Sequence, residues 1–496
     1  MYKIRQIQYS SKSVSVQVYT ILNRKRVILR HIGTARTEKE KADLITLAND
    51  FIEKLSKQLN LFENKESGNI LHVSQTEFIG VYYGFLYELL SKLVIKIGFD
   101  KIRNVLLTDL SIIRIFEPAS KLRSIELLED YFGIKHRRQG YYESAPKWLD
   151  LKGKIEKIAI AFAKKNYSFN YDLLFYDVTT LYFETFEEDE FRKDGFSKDN
   201  KSQQPQVLVA LLVTKEGFPI AYEVFPGNTF EGHTILPVVQ NFILKNQVKE
   251  FTVVADAAMI SAGNIRQLTE SNINYIVGAR LGNISNELFL EIDRNIIRKD
   301  GKTIRIKTEL GYLICGYSSL RYRKDKHEME KQIEKAKQVV ENPSKSKKLK
   351  FTKAKGQNIV LNQELIARTQ KLLGIKGYYT NLEEATASNQ LIMERYHELY
   401  RIEQAFRISK HDLQTRPIFH FKEEPIKLHI LICFVALVIS KHIELQTDTS
   451  IKKIIYECKK VTDARLLNKI TNREIRIRVK LSEKIIGIMM RLSLLT

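Results

Sequence analysis

Polar and apolar positions alternate in SVSVQVYTI and again in VILRHIG, with the basic NRKR between them. That pattern predicts a short β-hairpin within residues 1–35. From Thr37 to about Lys57 the period becomes helical, with Leu44, Leu47 and Ile52 on one face. Residues 78–165 are helix-compatible almost throughout, with basic residues interleaved, and Pro118 stands where a helix can begin. A hairpin plus helices is expected over 1–165.

The pattern then changes. YDLLFYDVTTLYFET (Tyr171–Thr185) is an apolar β-type run, followed by a polar stretch and the strand VLVALLVT. KEG at 215–217 predicts a tight turn, FPIAYEVF the returning strand, TILPVVQNFILK a helix and FTVVADA another buried strand. Strands laid down first as a meander and then joined by helices predict a mixed α/β sheet over 166–279. Residues 280–380 read as a β-rich basic insertion. It has a hairpin centred on Asp300-Gly301, the strand GYLICGYSS, a charged helix and the lysine-rich stretch NPSKSKKLKFTKAKG. The sheet's partners resume over 381–445 with one long helix from Gln390 to about Leu413 and an apolar helix near 428–441. A basic helical tail is expected over 446–496.

Composition narrows the class. The chain has 496 residues with 80 Lys+Arg against 58 Asp+Glu, a net charge of +22. A surplus of that size points to a polyanionic partner, nucleic acid or an anionic membrane. The start of the chain has no apolar block of signal-peptide type. The most apolar run, Ile430 to Ile439, is ten residues, half of what a bilayer span needs. Nucleic acid is therefore the expected partner. Cys315, Cys433 and Cys458 form no CxxC pattern, so neither a disulfide framework nor a structural zinc site is expected, and a reducing cytoplasm fits.

The candidate chemistry lies in carboxylates at strand ends. Gly301-Lys302-Thr303 lacks the first glycine of a phosphate-binding loop and sits at a turn, so it predicts no nucleotide site. Asp177 follows LLFY, and Asp256 follows TVVA. A charge closing an apolar strand is costly unless it is solvated, paired or bound to a metal. Either one alone is more often a turn or capping aspartate. Two in one sheet are what a hard cation such as Mg²⁺ requires. In MERYHELYRIEQAFRISKHDLQTRP, Tyr396, Glu403 and Lys410 are spaced by seven. Seven helical residues fall about 20° short of two turns, so the three would form one stripe. Leu399, Ile402, Phe406 and Leu413 would form its apolar flank, and Arg407 lies one turn beyond Glu403. Without the aspartates, this is an ordinary amphipathic helix with a solvated face.

Together these residues resemble a family. Asp177 in YDVTTLYFE, Asp256 in VVADAAMIS and the Y-x6-E-x6-K helix are similar to DDE insertion-sequence transposases with an RNase H-like core. YHELYRIEQAFRISKHDLQTRPIFH resembles the branch whose helix reads IE-x-AFR-x-x-K followed by RP and His. The GFSK stretch ending in Lys198, PIAYEVFPGNT and NYIVGAR resemble it too. One position departs. The related pattern has arginine three residues after the tyrosine, where this chain has Leu399.

The resemblance implies an RNase H-like mixed sheet with flanking helices, interrupted by the β-rich insertion and preceded by a mostly helical, DNA-binding N-terminal region. It implies Asp177, Asp256 and Glu403 as catalytic ligands of two Mg²⁺ ions, for which Mn²⁺ would substitute. Tyr396, Arg407, Lys410 and Lys198 would contact DNA. The function implied is that of a bacterial insertion-sequence transposase. It would bind terminal inverted repeats as a homodimer and catalyse DNA cleavage and strand transfer in the cytoplasm, at the nucleoid. A site-specific nuclease on the same fold, or a non-catalytic DNA-binding relic, are the competing readings.

Overall fold

A computed structural model describes residues 2–10, 13–22, 25–56, 76–196, 203–257, 261–341, 349–355, 358–469 and 471–495. The chain divides into two compact units, Met1–Leu89 with Glu126–Lys135 and Ile454–Thr496, and Leu90–Ile125 with His136–Lys453.

In the first unit, β1 (Lys3–Gln8), β2 (Val14–Leu22) and β3 (Lys25–Ala35) form an antiparallel sheet. The predicted hairpin is β2–β3, and KIRQIQ adds a third strand along β2. The helix Glu38–Ser56 lies on this sheet through Leu44, Leu47 and Ala48, which meet Val16, Val18, Ile32 and Ala35 in a closed core. Thr76–Tyr82 forms β4. It pairs with a strand from the C-terminal segment, so the tail is not wholly helical as expected. Asp463–Asn468 and Arg473–Arg478, numbered β15 and β16 below, form a sheet with β4 in the order β16-β15-β4. REIRIR alternates charge with isoleucine at a period of two, which a strand satisfies and a helix does not.

The second unit is built on one eight-stranded sheet. Its strands are β5 (Leu173–Tyr182), β6 (Gln206–Val213), β7 (Pro219–Pro226), β8 (Thr252–Ala255), β9 (Asn274–Ala279), β10 (Thr303–Thr308), β11 (Gly311–Tyr317) and β14 (Ile375–Thr380). A separate hairpin pairs β12 (Thr352–Lys355) with β13 (Asn358–Leu361). The sheet order is β10-β11-β14-β9-β8-β5-β6-β7. β5, β6 and β7 are the antiparallel meander, whereas β5, β8 and β9 run parallel. A meander of three strands continued by two parallel ones is the RNase H-like arrangement. Here β14, β11 and β10 extend it antiparallel beyond β9.

The meander's predicted turn is present. The Thr214 N–H donates to the Phe218 carbonyl at 3.0 Å, and Gly217 takes a φ of +82° that a side chain would resist. β6 is buried at every position, which explains why VLVALLVT shows no alternation. The helix Glu423–Thr447 is apolar all round and buried along most of its length. By length and composition alone it would pass as a membrane span, but it is the central core helix of this unit.

Residues 280–380 mix strand and helix rather than being mainly β. They include the long helix Ser319–Glu341 and a short one, Gln363–Lys371. The hairpin predicted at Asp300-Gly301 is displaced. Its strands are β10 and β11, paired from Thr303↔Gly316 to Thr308↔Gly311, so the turn falls at Glu309-Leu310. Asp300 is used instead as a cap, accepting both the N–H and the hydroxyl of Ser319 at 2.6 Å. Residues 342–348 of the lysine-rich stretch lie outside the described residues.

Candidate active site

The parallel pairing of β5 with β8 runs from Leu173↔Thr252 to Tyr176↔Ala255. Asp177 and Asp256 are the next residues in that register. They are neighbours on strands about 4.8 Å apart, at the point where β8 ends. Asp256 stands where β8 ends and reaches solvent, whereas Asp177 lies mid-strand in β5 between the buried runs 173–176 and 178–181, and so does not close its strand as the sequence led one to expect. Asp177 is half-buried and Asp256 exposed. Asp177 Oδ1 accepts the N–H of Val178, and Asp256 Oδ1 accepts the N–H of Ala257, each at 2.7 Å.

The segment carrying the third acid differs from the expected single helix. A helix runs from Asn389 to His397, a second from Tyr400 to Arg407, and a π-helical turn from Ile408 to Asp412. Between the first two, the N–H groups of Leu399, Arg401 and Ile402 bond three residues back instead of four, which tightens the turn. The π turn then loosens it, with the Leu413 N–H bonding Ile408 five residues back. No proline or glycine announces either irregularity. The seven-residue spacing therefore does not describe one straight stripe, because Tyr396, Glu403 and Lys410 sit on three differently wound pieces. The apolar flank is nonetheless in place. Leu399, Ile402, Phe406 and Leu413 are all buried, and Tyr400–Arg407 packs on β5 and β6.

Packing of Asn389–His397 against β8, β9 and β14 brings Tyr396 to the acids. Its hydroxyl donates to Asp256 Oδ1 at 3.0 Å. Gly278 on β9 makes the approach possible, since a Cβ there would stand 2.5 Å from the tyrosine oxygen. Burial raises the Tyr396 pKa, and the Asp256 charge and hydrogen bond, Tyr378 and Glu403 raise it further. The phenol therefore stays a donor. Glu403 is exposed and close enough to act electrostatically on both Tyr396 and Lys376.

Lys376 is the residue that the sequence reading missed. It lies on β14 with its Nζ 4.5 Å from the centre of the Tyr396 ring and 5.4 Å from that of Tyr378. Burial and then Arg321 lower its pKa, while Asp256 and Glu403 raise it. The signal was present: IKGYYT places a lysine inside an otherwise apolar and aromatic strand. Arg401 and Arg407, the two arginines near Leu399, lead elsewhere. Arg401 pairs with Glu398 and stacks on Tyr400, whereas exposed Arg407 acts on Asp412 and Lys441.

Lys410 is half-buried in the π turn, and Lys198 lies outside the described residues. Among the described residues, no three His, Cys, Asp or Glu side chains are close enough together to hold a metal ion. The donor chemistry still suits Mg²⁺, with one carboxylate on β5, a second beside it at the end of β8 and a third on a helix packed over β5. Each aspartate accepts from the N–H of the residue that follows it.

A family model described as the transposase DDE domain matches residues 168–439, more than half of the chain. The chain belongs to that family. The matched span of this transposase runs from just before β5 into the helix Glu423–Thr447, and so includes Asp177, Asp256, Tyr396, Glu403 and Lys410. Among solved structures, the transposase is similar to the piggyBac transposase in a synaptic complex with hairpin DNA. The match is at 13% identity and a TM-score of 0.37, covering 84% of this chain and 79% of that one. No curated protein matches the sequence.

Proposed function

We propose that this transposase serves a bacterial insertion sequence, cutting DNA at the element's terminal inverted repeats and joining the ends to a target. The observation that supports this most directly is the register of β5 and β8, which sets Asp177 beside Asp256 beneath the helix that carries Glu403. In this reading Asp177, Asp256 and Glu403 hold a pair of Mg²⁺ ions. Bound there, the ions would activate water or a 3′-hydroxyl as nucleophile and neutralise the leaving oxygen of an in-line displacement.

The chain's own groups do the rest. Tyr396 donates to Asp256 and fixes that carboxylate's orientation. Lys376, held over the Tyr396 ring, offsets the negative charge of Asp256 and Glu403 and supplies positive charge for a phosphate. Lys410 would hold a phosphate next to the cut, and Arg407 and Lys198 would contact DNA further out. Residues 1–165 would recognise the inverted repeats, 280–380 would line the DNA channel and 446–496 would add basic surface, with two copies acting together at the nucleoid.

The direct test offers the protein linear DNA bearing the element's ends, with Mg²⁺ or Mn²⁺ and a supercoiled target. Cleavage at the ends followed by joining of 3′-hydroxyls to target supports the reading, and cleavage without joining would make the protein a nuclease. Affinity for DNA should be largely electrostatic, given the +22 charge. The log–log slope of binding against salt is expected to reach several times −0.9, the contribution of each neutralised phosphate. A slope near zero would mean that the surplus charge faces away from DNA.

Gly278→Ala tests the role of Tyr396. The added Cβ would meet the tyrosine oxygen at 2.5 Å and the Cβ of Ala257 at 3.1 Å, so the ring must move off Asp256. A stability loss of about 1–3 kcal/mol is expected from overpacking. Cleavage should fall more than about tenfold when the variant and the wild type are both assayed well below their melting temperatures. Undiminished cleavage would show that the Tyr396–Asp256 hydrogen bond is dispensable.

A further inference from the structure

The second unit contains a cavity of about 490 Å³, and none of Asp177, Asp256, Glu403 or Tyr396 lines it. Its wall is unusual in charge. Arg114 and Lys121 are each 4% exposed, and both donate to one imidazole nitrogen. Lys121 Nζ stands 2.8 Å and Arg114 Nη2 3.3 Å from His429 Nδ1. Two donors on Nδ1 require its lone pair, so His429 is the neutral tautomer with the proton on Nε2, which donates to the Thr415 carbonyl at 2.9 Å.

Every strong influence on this cluster opposes charge. Burial, then Lys121 and Arg114, hold His429 well below the usual histidine range, and the same three causes bring His420 down to about 4. Burial and Arg114 lower Lys121, against which only the Cys433 thiol acts. Among the described lining residues the one carboxylate is Glu424, which is exposed. Two buried cations sharing a neutral imidazole are costly to an empty fold. An anion in the cavity would offset that cost.

The mouth suggests what carries the anion. Tyr142 and Phe419 line the cavity and are 61% and 65% exposed, large aromatic faces left open to solvent. Such faces stack on nucleobases. The volume exceeds what a phosphate alone needs and falls in the range of small-molecule sites. Arg416, Pro417 and His420, from the RPIFH segment, line the same cavity, which gives that segment a use.

We propose that this cavity binds a nucleotide, with its phosphate on Arg114 and Lys121 and its base on Tyr142 and Phe419. The phosphate could belong to a DNA strand end or to a free nucleotide. The inference does not depend on the catalytic assignment.

The single tryptophan makes it testable. Trp148 is buried edge-on to Tyr141, which lines the cavity, with ring centres 5.8 Å apart. Its fluorescence is followed in the full chain, with EDTA present so that metal plays no part. The ligands are dAMP, deoxyadenosine, and a short dA oligomer with and without a 5′-phosphate. At least one phosphorylated ligand is expected to bind about tenfold or more tightly than its unphosphorylated partner. A response to dAMP points to a free nucleotide, and a response to the phosphorylated oligomer alone points to a strand end. Lys121→Met should abolish the preference for phosphate while raising the melting temperature, because a buried charge has been removed. Tyr142→Ser and Phe419→Ser, at exposed positions that tolerate change, should each weaken binding at least threefold even if Lys121→Met fails to fold. Equal binding of phosphorylated and unphosphorylated ligands, or wild-type affinity in both rim variants, overturns the proposal.

Discussion

Asp177→Asn, Asp256→Asn and Glu403→Gln are each expected to abolish Mg²⁺-dependent cleavage of transposon ends while leaving DNA binding nearly intact. Each change keeps the side chain's shape and one oxygen acceptor but removes the negative charge that a hard cation requires. Asp256→Asn can still accept from the Ala257 N–H and the Tyr396 hydroxyl, so local structure should survive. Asp256 and Glu403 are exposed and Asp177 is only half-buried, so stability should change by less than about 1 kcal/mol. Cleavage should fall about a thousandfold or more, roughly 4 kcal/mol of lost transition-state stabilisation. Because the three act as one unit, double variants should be hardly worse than single ones. Wild-type cleavage in any single variant would remove that residue from the site. Loss of DNA binding in step with cleavage would instead mean a structural role.

What the sequence disclosed depends on how local each signal was. β5, β6, β7 and β8 could be read because strands buried on both faces carry continuous apolar runs, one of them interrupted by Asp177 and another closed by Asp256. The apolar flank of the Glu403 helix could be read for a similar reason, since Leu399, Ile402, Phe406 and Leu413 repeat at a helical period. The breaks in that helix could not. The first falls where Leu399 and Ile402 settle into the core and the second at Ile408–Asp412, and no helix-breaking residue marks either. The pairing of β4 with β15 joins segments nearly the whole chain apart, and local periodicity carries no information about such a partner. Asp300-Gly301 misled because a turn dipeptide and a helix cap use the same residue types, and only the position of Ser319 decides between them. Lys376 was overlooked because a lone lysine in a strand has no motif. Its meaning comes from Tyr396, Asp256 and Glu403, which the fold brings from three other elements.

Lys376→Met should separate metal affinity from catalytic rate. Methionine keeps most of the length and packing of the lysine stem over Tyr396 and Tyr378, so the fold should be little affected. What is lost is a positive charge that acts on Asp256 and Glu403. Such a charge competes with a divalent cation for the same carboxylates. Removing it should therefore lower the Mg²⁺ concentration at half-maximal cleavage, by about three- to tenfold for an interaction on the order of 1 kcal/mol. The same charge would neutralise a phosphate whose negative charge grows in the transition state, so cleavage at saturating Mg²⁺ should fall about tenfold or more. Lys376→Arg should restore much of the saturating rate, because the charge returns, though a planar guanidinium cannot reproduce the ammonium geometry. The opposite movement of the two constants is the diagnostic. A residue that merely supports Tyr396 by packing would lower the rate and leave the Mg²⁺ dependence unchanged, and its arginine variant would not recover. Cleavage by Lys376→Met that matches wild type at every Mg²⁺ concentration would place this lysine outside the reaction.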